Sequence, residues 1–411
     1  MSINVVIGAG FGDEGKGLMT DYFASQAKNN YGSGLVVRFN GGSQAAHTVV
    51  TPEGKRHVFG HFGSGTLVGL PTYLSSFFAV HPILFREELA KLKVLGLTPK
   101  VYVDKECIVT TPFDMLINQI AETVRGENRH GSVGFGVNET VTRSENFLKI
   151  TVADLLPGRE KMLALKLETI EDLYVSYRLE ELGIKEVPPY FAKTLSLNSA
   201  NIVSHYLADA KAMMGVIEIA DSSMLHNFES VIFEGAQGLL LDQNHKYFPY
   251  VTHSNTGVKN VRKILESANL SHKPITVTYV TRCYATRHGA GPFPHETDSP
   301  PFAKIEDLTN VPNIYQGALR FGLLDLDILA ESIHADLAWI RDLNCVTKIA
   351  ITCLDQVDED KIKFILGEEE VESTTEEFIT VALPKGGYLS YGPTRSTIKH
   401  VVNYNGIRDI G

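Results

Sequence analysis

Ile3-Asn4-Val5-Val6-Ile7-Gly8-Ala9-Gly10-Phe11-Gly12-Asp13-Glu14-Gly15-Lys16-Gly17-Leu18 opens the chain with an apolar run, a glycine-rich turn and the start of a helical stretch. Residues 3–7 read as a buried strand, 8–17 as a loop and 18–29 as a helix. Gly10 to Gly17 satisfies the spacing GxxxxGK, but Gly17 stands where an ordinary phosphate loop carries Ser or Thr to hold magnesium. Glycines let successive backbone N–H groups turn toward a phosphate, the following helix adds its positive end, and Lys16 supplies a mobile charge. The dinucleotide spacing GxGxxG fails, because Asp13 falls where the third glycine is required. Asp13 is the informative residue of the loop. A carboxylate beside phosphates is repelled unless it binds the metal or accepts a proton; the bland alternative is a helix cap.

Outward from this loop, residues 35–39, 101–103, 231–233, 275–280 and 348–354 read as further short strands, and 83–95 as a helix. That alternation predicts an α/β protein, a P-loop-like NTPase fold whose large, mostly parallel central sheet is flanked by helices. Residues 155–186 and 196–226 read as helices, so a helical insertion is expected around 155–226 within a single large domain, 1–411. The chain has 411 residues, 44% of them hydrophobic, 21% charged and 35 of them glycine, which is ordinary globular composition. A net charge of -10 argues against broad adhesion to nucleic acid, while a local pocket for a small anion remains open. Cys107, Cys283, Cys345 and Cys353 lack CxxC spacing, which suggests neither a zinc site nor a disulfide framework. No secretory leader is read at the N-terminus and no apolar run reaches membrane-spanning length, so a cytoplasmic protein without a membrane partner is expected. The acidic run 368–377 reads as a solvated surface, and the HxxxH pair His57 and His61 as structural, since no third metal ligand is evident.

Six segments, in order, resemble the adenylosuccinate synthetase family: GFGDEGKG at 10–17, GGSQAAHT at 41–48, EGAQGLLLD at 234–242, YVTHSNT at 250–256, TRHGAGPFPHE at 286–296 and GPTR at 392–395. The resemblance spans nearly the whole chain. It implies a two-step ligation: the γ-phosphoryl of GTP passes to the 6-oxygen of inosine monophosphate, and the amine of L-aspartate then displaces phosphate at C6. It assigns catalysis to Asp13, His47, Lys16 and Gln237. Asp13 matches the base that takes the purine N1 proton, and His47 the donor that stabilises the transferring phosphoryl. Triphosphate binding falls to Gly12, Glu14, Gly15, Lys16, Gly17, Gly41, His47 and Thr48, with Asp355 and Gly392 at the guanine. Asp355 can accept two hydrogen bonds from the guanine edge. The acceptor nucleotide is assigned to Asp13, Gln44, Arg143, Gln237, Thr252 and His288, and aspartate to Thr286, Gly317 and Arg320, with Arg320 as the fork on its carboxylate. One Mg2+ is expected on Asp13 and the carbonyl of Ala46. Arg143 matches an arginine that reaches a neighbouring site, which implies a homodimer; a plain exposed helix arginine is the alternative.

The pattern also departs from the family. Cys353 stands where lysine is usual, which bears on the choice of GTP over ATP. The stretch Tyr315-Gln316-Gly317-Ala318-Leu319-Arg320-Phe321-Gly322 keeps one arginine of an arginine-rich loop, Ala318 replaces an arginine near the ribose, and His288 replaces an aliphatic residue. Residues 129–136 replace a run that carries proline. These changes open a second expectation, a viral branch that condenses aspartate with deoxyguanosine monophosphate; its better-known members lack the loop aspartate that is kept here. A non-ligating GTP-binding switch or scaffold is the alternative from another class.

Overall fold

In the computed structural model, Ser2–Gly8 lies inside a ten-stranded sheet, between Ser230–Gly238 on one side and Ile275–Arg282 on the other, both parallel to it. The structure describes residues 1–305, 317–358 and 360–402. From one edge the order is Ile398–Val401, Gly387–Ser390, Cys345–Thr352, Ile275–Arg282, Ser2–Gly8, Ser230–Gly238, Leu35–Arg38, Thr72–Leu74, Val101–Val103 and Ile217–Ile219. Only Ile398–Val401 runs antiparallel to its neighbour. The central strands read as continuous apolar runs because both faces are covered. Ile3, Val5 and Ile7 pack with Phe233, Val277 and Tyr279 beneath the helices Lys259–Ser267 and Leu326–Leu337. Val6 packs on the opposite face with Ile232, Val280, Met19 and Phe23 of the helix Lys16–Tyr31.

The carboxyl ends of three neighbouring parallel strands, at Gly8, Arg282 and Thr352, lie side by side, with Gly238 opposite Gly8. The loops leaving them therefore converge on one rim, the place where open α/β sheets hold ligands.

The middle of the chain differs from its expected form. Residues 155–186 are two helices, Glu160–Thr169 and Val175–Glu181, joined by a π turn at Ile170–Tyr174. The second expected helix starts earlier, at Pro189, and stops at Met214. Gly215 follows, a poor helix former, and Ile217–Ile219 then joins the sheet edge beside Val101–Val103. The stretch 155–226 thus begins as a helical layer and ends by returning to the sheet. Its helices share a separate core with Pro112–Arg125, in which Phe113, Ile117, Leu167, Tyr174 and Tyr206 are buried. The strand Thr72–Leu74 is too short to show a period in the sequence. The acidic run forms an exposed strand, Glu369–Thr374, paired antiparallel to Lys361–Leu366 with Lys363 3.0 Å from Glu370, and then enters the helix Thr375–Ala382. Among the described residues, no helix is long and apolar enough to cross a membrane.

Candidate active site

The glycine-rich loop separates its two adjacent carboxylates. Glu14 turns inward and is 4% exposed; it accepts hydrogen bonds from the N–H groups of Gly10 (3.1 Å) and Gly12 (2.7 Å) and pairs with the Lys16 ammonium at 2.6 Å. That carboxylate fills the space beside Gly8 and Gly238, where an added Cβ would collide with its oxygens. Asp13 adopts a left-handed backbone, φ 61°, which carries its side chain out to 29% exposure. Neighbouring strands hold the loop in this shape. Arg282 Nε donates to the Asp13 carbonyl at 2.6 Å, and the Thr352 hydroxyl to the Glu14 carbonyl at 2.8 Å.

The second glycine-rich loop leads into His47–Val50, a strand that packs against the first turn of helix Lys16–Tyr31. A Cβ at Gly17 would stand 2.9 Å from the His47 Cβ. The hydroxyl residue of an ordinary phosphate loop is thus replaced by glycine because His47 occupies its space. His47 is 8% exposed, and its Nδ1 lies 2.7 Å from Glu234, which also accepts from the backbone N–H of Ser64 at 3.0 Å and from the Ser64 hydroxyl. Burial lowers the His47 pKa, and the Glu234 carboxylate opposes that shift. Because Glu234 holds Nδ1, the other ring nitrogen is left for a ligand. Ala46, just before it, is exposed, whereas the Thr48 hydroxyl is buried without a partner. Asn40 fixes this loop to the strand Ser230–Gly238 by exchanging two hydrogen bonds with Ala236, at 2.9 and 2.8 Å.

Beside these loops, Gly41, Gln44 and Thr252 line a cleft with Phe77, Ala79, Ile108, Val137, Val141 and Ser254. Gly41 donates to the Ser254 hydroxyl at 3.1 Å. Gln237, also left-handed at φ 65°, brings its Oε1 to 3.7 Å from where a Cβ of Gly12 would stand, beside the phosphate loop. His288 meets the loop from the other side, with Nε2 3.4 Å from Asp13 Oδ2.

Arg143 is a correction. It is wholly buried in its own chain, its Nε and one terminal nitrogen on the two oxygens of Asp114 at 2.8 and 2.9 Å, with further bonds to the carbonyls of Val109 and Leu148. It is neither the exposed arginine of one expectation nor the arm of the other, since all three guanidinium nitrogens are spent inside the fold. The expectation of a homodimer rested on that arm and loses its support.

Of the residues expected at aspartate, Thr286 is buried in Ala285–Arg287, which pairs with Arg320–Gly322. Gly317 takes a left-handed φ of 75° with open space beside it, while Tyr315 and Gln316 lie outside the described residues. Arg320 already grips a carboxylate: its fork lies on Glu296, with Nε 2.7 Å from Oε1, and it donates to the carbonyls of Gly289 and Gly291. Asp355 is exposed in the turn after Cys345–Thr352, three residues beyond the Thr352 that holds the loop. The Gly392 carbonyl accepts from Ser390 and Thr397. Arg395 ties this segment to the N-terminal helix by pairing with Asp21 at 3.0 Å.

The family model of adenylosuccinate synthetase matches residues 5–381. The chain belongs to the adenylosuccinate synthetase family. The synthetase of Clostridium beijerinckii is 31% identical over 382 residues, 89% of this chain and 81% of its own length. That of Microcystis aeruginosa is 31% identical over 373 residues, 87% and 76% of the two chains. Among solved structures, the fully ligated adenylosuccinate synthetase from Plasmodium falciparum shares the fold at a TM-score of 0.72 and 20% identity, over 98% of this chain and 100% of its own. A cyanophage S-2L succinoaminodeoxyadenylate synthetase, solved with dGMP and dATP, shares it at 0.59 and 16% identity, over 97% and 95%. The family makes this chain a ligase of purine biosynthesis that forms a carbon–nitrogen bond.

Residues that were not expected at the site also shape it. Glu234 heads the segment EGAQG and carries a signal that was there to use, a carboxylate ending the apolar run 231–233. Arg282 and Thr352 stand at strand ends and show no such signal. Arg287, 1% exposed, fastens the loop after it through the carbonyls of Tyr250, Ala290 and Pro292 and lies over the Phe11 ring; burial, helped by Arg320, brings its pKa down to about 10. His57 and His61 flank the buried Glu88 at 3.7 and 3.5 Å, behind the His47 hairpin. Among the described residues no group of three or more His, Cys, Asp or Glu side chains is placed to hold a metal.

Proposed function

We propose that this chain condenses L-aspartate with inosine monophosphate, drawing on GTP and releasing adenylosuccinate, GDP and phosphate. The observation that carries this reading is the division of labour in the loop. Glu14 is saturated by two N–H groups and Lys16, whereas Asp13 keeps an accessible carboxylate. Asp13 removes the purine N1 proton, which leaves the 6-oxygen negative enough to attack the γ-phosphorus as the bond to the GDP oxygen breaks. The aspartate amine then adds at C6, the C6–O bond breaks with its electron pair leaving on phosphate, and the amine loses a proton.

His47 donates to the transferring phosphoryl from the ring nitrogen that Glu234 does not hold. Burial keeps that imidazole neutral in the free site, and the arriving negative charge favours its protonated form. Gln44, Gln237 and Thr252 supply neutral polar contacts to the acceptor nucleotide, Asp355 reads the guanine of GTP, and Thr286, Gly317 and Arg320 receive aspartate. The Asp13 carboxylate and the carbonyl of the exposed residue Ala46 would hold a magnesium ion that takes its other ligands from phosphates and water. Such an ion would supply neutralisation of the negative charge on the transferring phosphates.

Phosphate release tests the reading. Enzyme with Mg2+, GTP and aspartate should release phosphate with inosine monophosphate and not in its absence or without aspartate. Release confined to deoxyguanosine monophosphate would replace the acceptor, and equal use of ATP would remove the assigned role of Asp355.

A further inference from the structure

Hydrogen bonds from two strand ends tie the turn that carries Asp355 to the phosphate loop. Arg282 donates from Nε to the Asp13 carbonyl at 2.6 Å and from Nη1 to the Tyr284 hydroxyl at 2.8 Å. That hydroxyl in turn donates to Gln356 Oε1 at 2.6 Å. Gln356 ends the turn Leu354–Gln356, next to Asp355. Before the turn, the Thr352 hydroxyl donates to the Glu14 carbonyl at 2.8 Å. The exposed Asp355 is thus bracketed by two ties, which end on consecutive carbonyls of the loop.

Tyr284 is buried, and burial raises its pKa, so the phenol stays an O–H donor. A hydroxyl that accepts from a cation donates more strongly, because chains of hydrogen bonds polarise along their length. The link therefore runs from guanidinium to amide oxygen, and it depends on Gln356 keeping its place. A base bonded to Asp355 favours the arrangement of the turn in which Gln356 meets Tyr284, and a base that makes fewer bonds there favours it less. The other end of the link is the carbonyl of Asp13, whose left-handed backbone persists only while its surroundings impose it. We propose that Tyr284 and Gln356 are positioning residues that couple the turn of Asp355 to Asp13, so that the base of the triphosphate is discriminated in turnover and not in binding alone. This rests on the reading above that Asp355 meets that base.

Tyr284→Phe removes one oxygen and leaves the ring beside Phe302 and Phe321. With GTP its kcat should fall about tenfold, as expected of misplacement from a distance, with the KM for GTP within about threefold of wild type. Gln356→Ala should do the same, and the double variant should be no slower than either, since both cut one chain. Inosine triphosphate, which lacks the 2-amino group, should give a lower kcat than GTP in wild type, whereas the two triphosphates should give equal values in Tyr284→Phe. Hydrogen exchange supplies a readout without turnover: guanosine, which carries no phosphate, should slow amide exchange in residues 10–17 of wild type and not of Tyr284→Phe. A kcat in Tyr284→Phe within about twofold of wild type, an unchanged ratio between the triphosphates, or additive losses in the double variant overturns the proposal. So does slowing that is absent from wild type or equal in both proteins. If wild type turns over no purine nucleotide, the ligation reading fails by itself and the exchange measurement still decides the coupling.

Discussion

Charged pairs lie on both sides of this site, at very different depths. On the phosphate side Glu14 and Lys16 are 4% and 3% exposed, and Glu234, which holds His47 and Ser64, is fully enclosed. On the aspartate side Arg320 and Glu296 are 27% and 41% exposed. Removing one member of an enclosed pair leaves a charge that water cannot reach, whereas an exposed pair contributes about 0–1 kcal/mol. The phosphate side is therefore preassembled and rigid. The exposed Arg320–Glu296 pair can part at little cost, as the seat proposed for an aspartate carboxylate requires.

Replacing Glu234 should break the rigid side most severely. Glu234→Ala is expected to cost about 3–5 kcal/mol in urea unfolding, because it strands the buried donors of His47 and Ser64 at about 1–3 kcal/mol each. Glu234→Gln keeps the shape but weakens the hold on His47, and its turnover should fall about 10²-fold with the KM for GTP little changed. Full turnover in the glutamine variant would show that His47 needs no carboxylate behind it.

The exposed pair predicts a smaller and asymmetric result. Arg320→Ala should raise the KM for aspartate by roughly ten- to a hundredfold, as for loss of a charge-assisted bond of about 1.5–3 kcal/mol. Glu296→Gln should leave that KM within about threefold or lower it. Equal damage from the two substitutions would mean that the pair braces the loop and does not exchange with substrate.

The smallest effect concerns Asp21, the partner of Arg395 behind the phosphate side. Burial raises its pKa from 3.8 to about 6, against the pull of Arg395. Between these values the folded chain keeps a proton that the unfolded chain releases, so this group's contribution to stability declines as pH rises from about 4 to 6. Asp21→Asn should flatten that part of the stability profile, measured by urea unfolding at several pH values. An unchanged slope would place the titration elsewhere.

Much of the architecture was legible because its signals are local. The apolar run 3–7, the glycine spacing of the loop and the helix after it are properties of neighbouring residues, and each took the expected form. The helical layer was read less well. Gly215 and the three-residue strand Ile217–Ile219 carry too little pattern to show that the chain rejoins the sheet there. The candidate residues were legible as identities, not as orientations.

By itself the sequence determined the strand, loop and helix of the phosphate site, the α/β class and the set of polar residues that six motifs hold in order. Only the tertiary structure decided how those residues are aimed. It buried Arg143 on Asp114, set Glu234 behind His47 across 187 residues of chain, and placed His288 against Asp13. It also parted Asp13 from Glu14, turning one carboxylate outward and the other into the loop. Backbone periodicity is written within a few residues, whereas the desolvation and pairing that give a charged group its task depend on what distant strands bring beside it.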